Sequence, residues 1–286
     1  MDRKISTVSD ALKIVNELHN QRPAPSGVLY RGVGSYKYNL EPSLSRYLAP
    51  SKPLRNMRGD SFKEERIKWK EVFSKTEKGL IEDFKKLAWQ MLSYKPKNDW
   101  EWIAVAQHHG VPTRLLDWTT NLLIGLWFAT DSSGVHANID GGLWVYTPFG
   151  SRDGDTEDIG DTEWLLDQMT SDPTHEQYIG PTEVNRTRIY VPNNLDPRIQ
   201  MQSGVFTAHQ LMPNDGFFDL VPLNKNGRER LKVSRIRVPK RAKAQIRTQL
   251  ARDFGLDLTK VFPDVDGVAL SLKAAWEPTV KKIKKK

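Results

Sequence analysis

The 286-residue chain has no cysteine. That absence excludes a disulfide framework, a thiol nucleophile and a zinc–thiolate centre, and it suits a reducing, cytoplasmic setting. The chain also lacks an apolar run of the roughly 18 residues that a membrane-spanning helix needs, and its N-terminal segment has no signal-peptide core. A soluble protein with no membrane partner is therefore expected. No GxGxxG or P-loop appears, which removes the strand–turn–helix phosphate cradles of those types. There is no HExxH and no spaced His/Asp set, so no metal site is expected; His108 and His109 are adjacent and would point about 100° apart on a helix. No GxSxG marks a hydrolase elbow.

What is present is concentrated between Gln107 and Thr130, QHHGVPTRLLDWTTNLLIGLWFAT. In its first thirteen residues two histidines, an arginine, an aspartate and two threonines stand just before an apolar run. Polar groups that enter a fold beside such a run need partners, because each unpaired one costs about 1–3 kcal/mol once buried. The segment reads as the floor of a site. The nine tryptophans and ten phenylalanines supply a sizeable core. The net charge of +8 is uneven: Arg228–Arg252 and the tail Lys281–Lys286 are basic, while Arg152–Glu183 is acidic. A basic face would favour RNA or DNA through phosphate contacts; the alternative is a solvated surface.

Periodicity predicts helices over Thr7–His19, Ser61–Leu92, Asp99–His108, Asn121–Thr130 and Arg241–Phe254, with a last helix through Trp276. A short helix is expected around Glu163–Met169 within a polar loop, and Pro50–Asp60 reads as loop. Strands are predicted at Gly27–Gly32, Gly142–Tyr146, Arg188–Val191, Gly204–His209 and Leu231–Val238. Helices come first and strands follow. That order argues an α+β fold with a mainly antiparallel sheet and a central cleft, as one domain over 1–276 followed by a basic tail, 277–286.

Three segments together resemble the FRG-domain family: Tyr30-Arg31-Gly32 with EPSLSR at Glu41–Arg46, QHHGVPTRLLDWT at Gln107–Thr119, and RIQMQSGVF at Arg198–Phe206 with a late FPDVDG at Phe262–Gly267. The resemblance runs from roughly residue 10 to 275. A weaker one is to ADP-ribosyltransferases of the Arg–Ser–Glu type. These carry an arginine on a first strand, a Ser-Thr-Ser strand leading into a helix, and a Glu-x-Glu element before a Gly-x-Phe strand. On that likeness Arg31, Thr119 and Gln202 occupy the three active-site positions. The resemblance implies NAD as substrate, with Arg31 holding the dinucleotide, Thr119 and His109 orienting it, and Gln202 holding the ribose. Gly32, His108, Arg114, Asp117 and Trp118 are the further cofactor-binding candidates.

Gln202 departs from the transferase pattern, since an amide lacks the charge that stabilises an oxocarbenium-like centre; Gln200 shares that limit. Asp117 or Glu41 would have to serve instead, or the chain binds without turnover. The expected function is accordingly an NAD-dependent ADP-ribosyltransferase-like toxin or phage-conflict effector, with a cognate inhibitor protein among its partners. The alternative is a non-catalytic module that senses a nucleotide or a partner protein. Each site residue also has a structural reading: Arg31 locking a strand through a carboxylate, Arg114 pairing with Asp117, His108 and His109 ending a helix, and Trp118 filling the core.

Overall fold

The computed structural model describes residues 3–21, 27–48, 60–147, 165–166, 174, 179–184, 187–192, 201–214, 217–220, 222–225 and 233–283. Among these, α1 (Val8–Gln21), α2 (Ser43–Leu48), α3 (Asp60–Ala88), α4 (Asp99–His108), α5 (Leu122–Ala129), α6 (Lys240–Phe254), α7 (Leu258–Val261) and α8 (Val265–Ile283) are helical. The strands are β1 (Leu29–Val33), β2 (Leu115–Thr119), β3 (Gly141–Tyr146), β4 (Leu165–Leu166), β5 (Arg188–Tyr190), β6 (Gly204–Ala208), β7 (Leu211–Asn214), β8 (Phe217–Leu220) and β9 (Val233–Val238). Seven of them form one sheet in the order β4-β5-β6-β2-β1-β3-β9, antiparallel except for the β4–β5 pair, while β7 and β8 form a separate hairpin. The α+β expectation holds.

Several boundaries differ from those expected. Leu165–Leu166 lie in a strand, not the helix expected at 163–169, whose other residues fall outside the described ones. Pro50–Met57 and Arg58–Gly59 likewise fall outside, whereas Asp60 begins α3. The 107–119 stretch, for which no strand is expected, ends in β2 over its last five residues. The basic tail begins inside a helix, because α8 continues past Trp276 to Ile283.

Helices cover one face of the sheet, and Leu40 and Leu223 from connecting segments help cover the other. One face of β1 and β3 packs against α1, α5 and α6 through Tyr30, Leu143, Val145, Ile124, Leu126, Ile246 and Leu250. The opposite strand face buries Leu29, Val33, Leu116, Trp118, Trp144 and Tyr146. α3 and α4 close a third cluster over β2, β5 and β6.

Asn121 starts α5 by accepting the Leu123 N–H at 2.9 Å, and Asn98 starts α4 by accepting that of Glu101 at 2.9 Å. These caps satisfy donors that a helix end leaves unpaired. Gly32 lets α5 approach β1: a Cβ there would lie 1.9 Å from the Gly125 carbonyl oxygen. The glycine of the Tyr-Arg-Gly motif therefore serves packing.

At the far end of α5, two side chains of α6 take up backbone carbonyls. Arg247 donates to Trp127 O at 2.8 Å and to Thr130 Oγ1 at 3.1 Å, with its guanidinium 3.8 Å from the Trp127 ring centroid. Lys243 is buried and donates to the carbonyls of Asp131, Gly34 and His136 at 2.6, 2.9 and 3.1 Å. Burial pushes Arg247 down to about 10 and pushes Lys243 below its ordinary value.

Candidate functional site

The three motif strands lie side by side as β6-β2-β1. β2 pairs along its length with β6, from Leu115↔Ala208 to Thr119↔Gly204, but meets β1 at Tyr30↔Thr119. Past that pair the guanidinium of Arg31 reaches between the strands. Its Nη1 donates to the Asp117 carbonyl at 2.6 Å and to Asp117 Oδ2 at 3.2 Å. A strand carbonyl that its neighbour does not satisfy needs another donor, and Arg31 supplies one. The arginine is 22 % exposed, with its Nε buried and lacking a hydrogen-bond partner among the described residues.

Asp117 is also held by Gln107 Nε2, at 3.1 and 3.3 Å to its two oxygens. Gln107 Oε1 in turn accepts from Thr113 Oγ1 at 2.7 Å, and Ser43 Oγ accepts the Thr113 N–H at 3.1 Å. Arg31, Asp117, Gln107, Thr113 and Ser43 thus form one chain of hydrogen bonds linking β1, β2, the end of α4 and the start of α2. Gln107, Thr113 and Ser43 belong to the sequence motifs, and their place in this chain is not visible from the sequence. Asp117 keeps 53 % of its side chain exposed, which leaves this rim open to a ligand.

Arg114 is not part of that rim. It is 1 % exposed against a fully buried Glu77 of α3. Its Nε donates to Glu77 Oε1 at 2.7 Å, its Nη2 donates to Glu77 Oε2, and its Nη1 donates to the His209 carbonyl at 3.3 Å. The expected Arg114–Asp117 pair is not made, because alternation along the segment buries Arg114 while Asp117 stands exposed. Trp118 also turns inward: it is buried, packs on Tyr146 with centroids 5.3 Å apart, and donates to Thr207 Oγ1 at 3.0 Å. No face of it is open for stacking a base.

His109 ends α4, its N–H donating to the Val105 carbonyl at 3.1 Å. Its ring is exposed and sits 6.2 Å from Phe84 of α3 and 5.0 Å from His108, centroid to centroid. Glu41 accepts from Ser45 Oγ at 2.9 Å beside the start of α2.

Thr119 and Gln202 do meet, though through backbone. Thr119 is buried, donates from Oγ1 to the Gln202 carbonyl at 2.6 Å and accepts the Asn121 N–H at 3.0 Å. The Gln202 amide donates to the Val261 carbonyl at 3.1 Å. Gln202 thereby ties the head of β6 to α7. Gln200 lies outside the described residues. The next residue, Ser203, has φ 48°, the one positive-φ non-glycine among the described residues. Such backbone costs about 1–3 kcal/mol and tends to gather at ligand sites.

Ser203 borders an open cleft of about 680 Å³. Tyr30, Thr120, Asn121 and Leu122 line it from the motif strands and the head of α5, and Leu12, Val15, Asn16 and His19 line it from α1. Tyr30 lines the cleft, and burial pushes its hydroxyl above the ordinary tyrosine value. The lining combines a few apolar side chains with amides and hydroxyls, and the α5 N-terminus opens onto it, where backbone N–H groups favour an anion. The site residues expected from sequence are chain neighbours of these: Arg31 beside Tyr30, Thr119 beside Thr120, Gln202 beside Ser203. The α1 contribution had only the polar face of an amphipathic helix to announce it.

The basic segment is partly consumed internally. Besides Lys243 and Arg247, Arg235 donates to Tyr36 O at 2.8 Å and lies 4.2 Å from the Tyr36 ring centroid, and Arg237 donates to Asp140 at 3.1 Å. Lys240 and Arg241 remain exposed; residues 228–232 and 284–286 lie outside the described ones. Among the described residues no group of three or more His, Asp or Glu is placed to hold a metal, and no helix is long and apolar enough to cross a membrane.

The family model of the FRG domain matches residues 26–137, a span running from the approach to β1 through α5. It is shorter than the stretch over which the sequence resemblance was traced, and the QMQSGVF and FPDVDG segments lie beyond it. No curated protein and no solved structure matches the chain.

Proposed function

The chain carries an FRG domain at residues 26–137, and from that premise we propose that it is a nucleotide-binding module which takes NAD or a related adenine dinucleotide in the cleft between α1, β1 and the head of α5. The observation that carries this reading is the cleft, which collects Tyr30, Thr120, Asn121 and Ser203 from all three motif strands or their ends. Amides and hydroxyls suit the base and ribose edges, and the helix N-terminus suits the pyrophosphate. Among the described residues no carboxylate lines the cleft. The amide of Gln202 is spent on Val261 O. Without a negative charge facing the ribose, the growing positive charge of a leaving-nicotinamide transition state goes unstabilised, and that electrostatic contribution is often the largest in such chemistry.

A second reading, an ADP-ribosyltransferase-like toxin or phage-conflict effector, is favoured by one observation: Arg31 and the half-exposed carboxylate of Asp117 share the rim at 3.2 Å. A conformational change that freed Asp117 from Arg31 would supply the missing charge. Incubating the protein with NAD and measuring nicotinamide separates the two. The binding reading expects none released by wild type. Release that disappears in Asp117→Asn would establish the transferase reading instead. A cognate inhibitor protein and a cytoplasmic setting accompany that second reading.

A further inference from the structure

We infer that α8 is a surface-seeking helix that lies on an anionic lipid bilayer. Its apolar side chains Val265, Val268, Leu272 and Trp276 are 84, 51, 57 and 65 % exposed. At about 100° per residue they fall within one stripe some 80° wide. Its first turn is backed by the turn before it, where Gly267 is buried and a Cβ would lie 1.9 Å from the Phe262 carbonyl oxygen; further along, Leu270 on the other side of the helix is also 48 % exposed. An exposed apolar stripe of that kind marks an interaction surface.

Charge identifies the occupant. Between Val265 and Lys286 the sequence has six lysines, Lys273 and five in the final six residues, against Asp266 and Glu277. An apolar stripe bearing a tryptophan, continued by a lysine cluster, matches a bilayer whose headgroups are negative and whose acyl boundary takes up the apolar side chains. RNA would meet the lysines but leave Val265, Val268 and Leu272 in water. A second copy of the helix would bring the lysine clusters together or would need a heptad seam, and the seam begun by Val265, Val268 and Leu272 continues to Ala275 while the large side chain is Trp276. Lying on a bilayer does not require the length or apolarity of a spanning helix, so this attachment is compatible with the absence of such a helix among the described residues.

The test is co-sedimentation of the full chain with phosphatidylcholine vesicles, with and without phosphatidylserine. Binding is expected with the anionic vesicles, weakening as salt is added. Leu272→Glu/Trp276→Glu should lower partitioning on the order of tenfold or more, since it removes two inserting apolar groups, while its circular dichroism and melting temperature stay at wild-type values. Three outcomes would overturn the inference: no binding to anionic vesicles, binding that the double variant leaves unchanged, or a wild-type mass that doubles by ultracentrifugation and returns to monomer in the double variant. RNA binding lost in the double variant without any vesicle binding would overturn it as well.

Discussion

Replacing Arg114 by methionine should destabilise the fold by about 3–5 kcal/mol, the usual cost of leaving one partner of a buried ion pair alone. Arg114 and Glu77 are 1 and 0 % exposed, and the guanidinium meets both carboxylate oxygens while a third donor reaches the His209 carbonyl. Removing the arginine strands a carboxylate that water cannot reach and a carbonyl that has lost a donor. In a chain of this size the melting temperature should fall on the order of 10 °C. The double change Glu77→Leu/Arg114→Met should recover most of that loss, because apolar side chains of similar volume often replace a buried pair at little net cost. Thermal unfolding followed by circular dichroism reads both effects, and calorimetry reads nucleotide binding. If Arg114→Met melts within a degree or two of wild type but loses nucleotide affinity, the arginine contacts ligand and the cleft is misplaced.

Gly32→Ala should destabilise strongly or prevent folding, since its Cβ would overlap the Gly125 carbonyl of α5; soluble yield and thermal melts check this. Arg31→Ala should shift the melting temperature by no more than a few degrees, because its partner Asp117 is half exposed and exposed ion pairs contribute about 1 kcal/mol or less. Burial and the hydrogen bond to Glu101 push Tyr94 up to about 12. The unfolded chain loses that proton near pH 10 and the folded one near 12, so Tyr94 stabilises fully below pH 10 and its contribution fades between 10 and 12. Alkaline denaturation of Tyr94→Phe should be shallower over that window.

Much of the fold was legible because its signals are local. Asn98 before an apolar helix gave Asp99–His108, and the glycine after Phe254 gave the end of α6, where Gly255 has φ 62°. The continuous apolar strand around Trp144 and the alternating one around Ile236 were equally plain. The motifs mark the strands that border the candidate cleft, but alternation decides which neighbour faces it, and register is set by pairing that the sequence does not display. Trp118 reads as a stacking surface until Tyr146 is seen against it. Arg114 reads as a partner for Asp117 until Glu77, remote in sequence on α3, is found beside it. Helix α2 and the β7–β8 hairpin escaped because each is short and carries little periodicity of its own. The basic segment misled for a related reason: a count of lysines and arginines does not show that Arg235, Arg237, Lys243 and Arg247 are engaged by carbonyls, rings and Asp140.

Isothermal titration of NAD into the wild-type protein and into Leu12→Trp tests the central claim most directly. Leu12 lines the cleft yet is about half exposed, so an indole there fills the binding volume without disturbing the core. Saturable heat with wild type, and its loss in a Leu12→Trp protein that melts normally, is the expected result. Absence of heat with wild type, or binding that Leu12→Trp leaves unchanged, would contradict a dinucleotide seated between α1, β1 and α5.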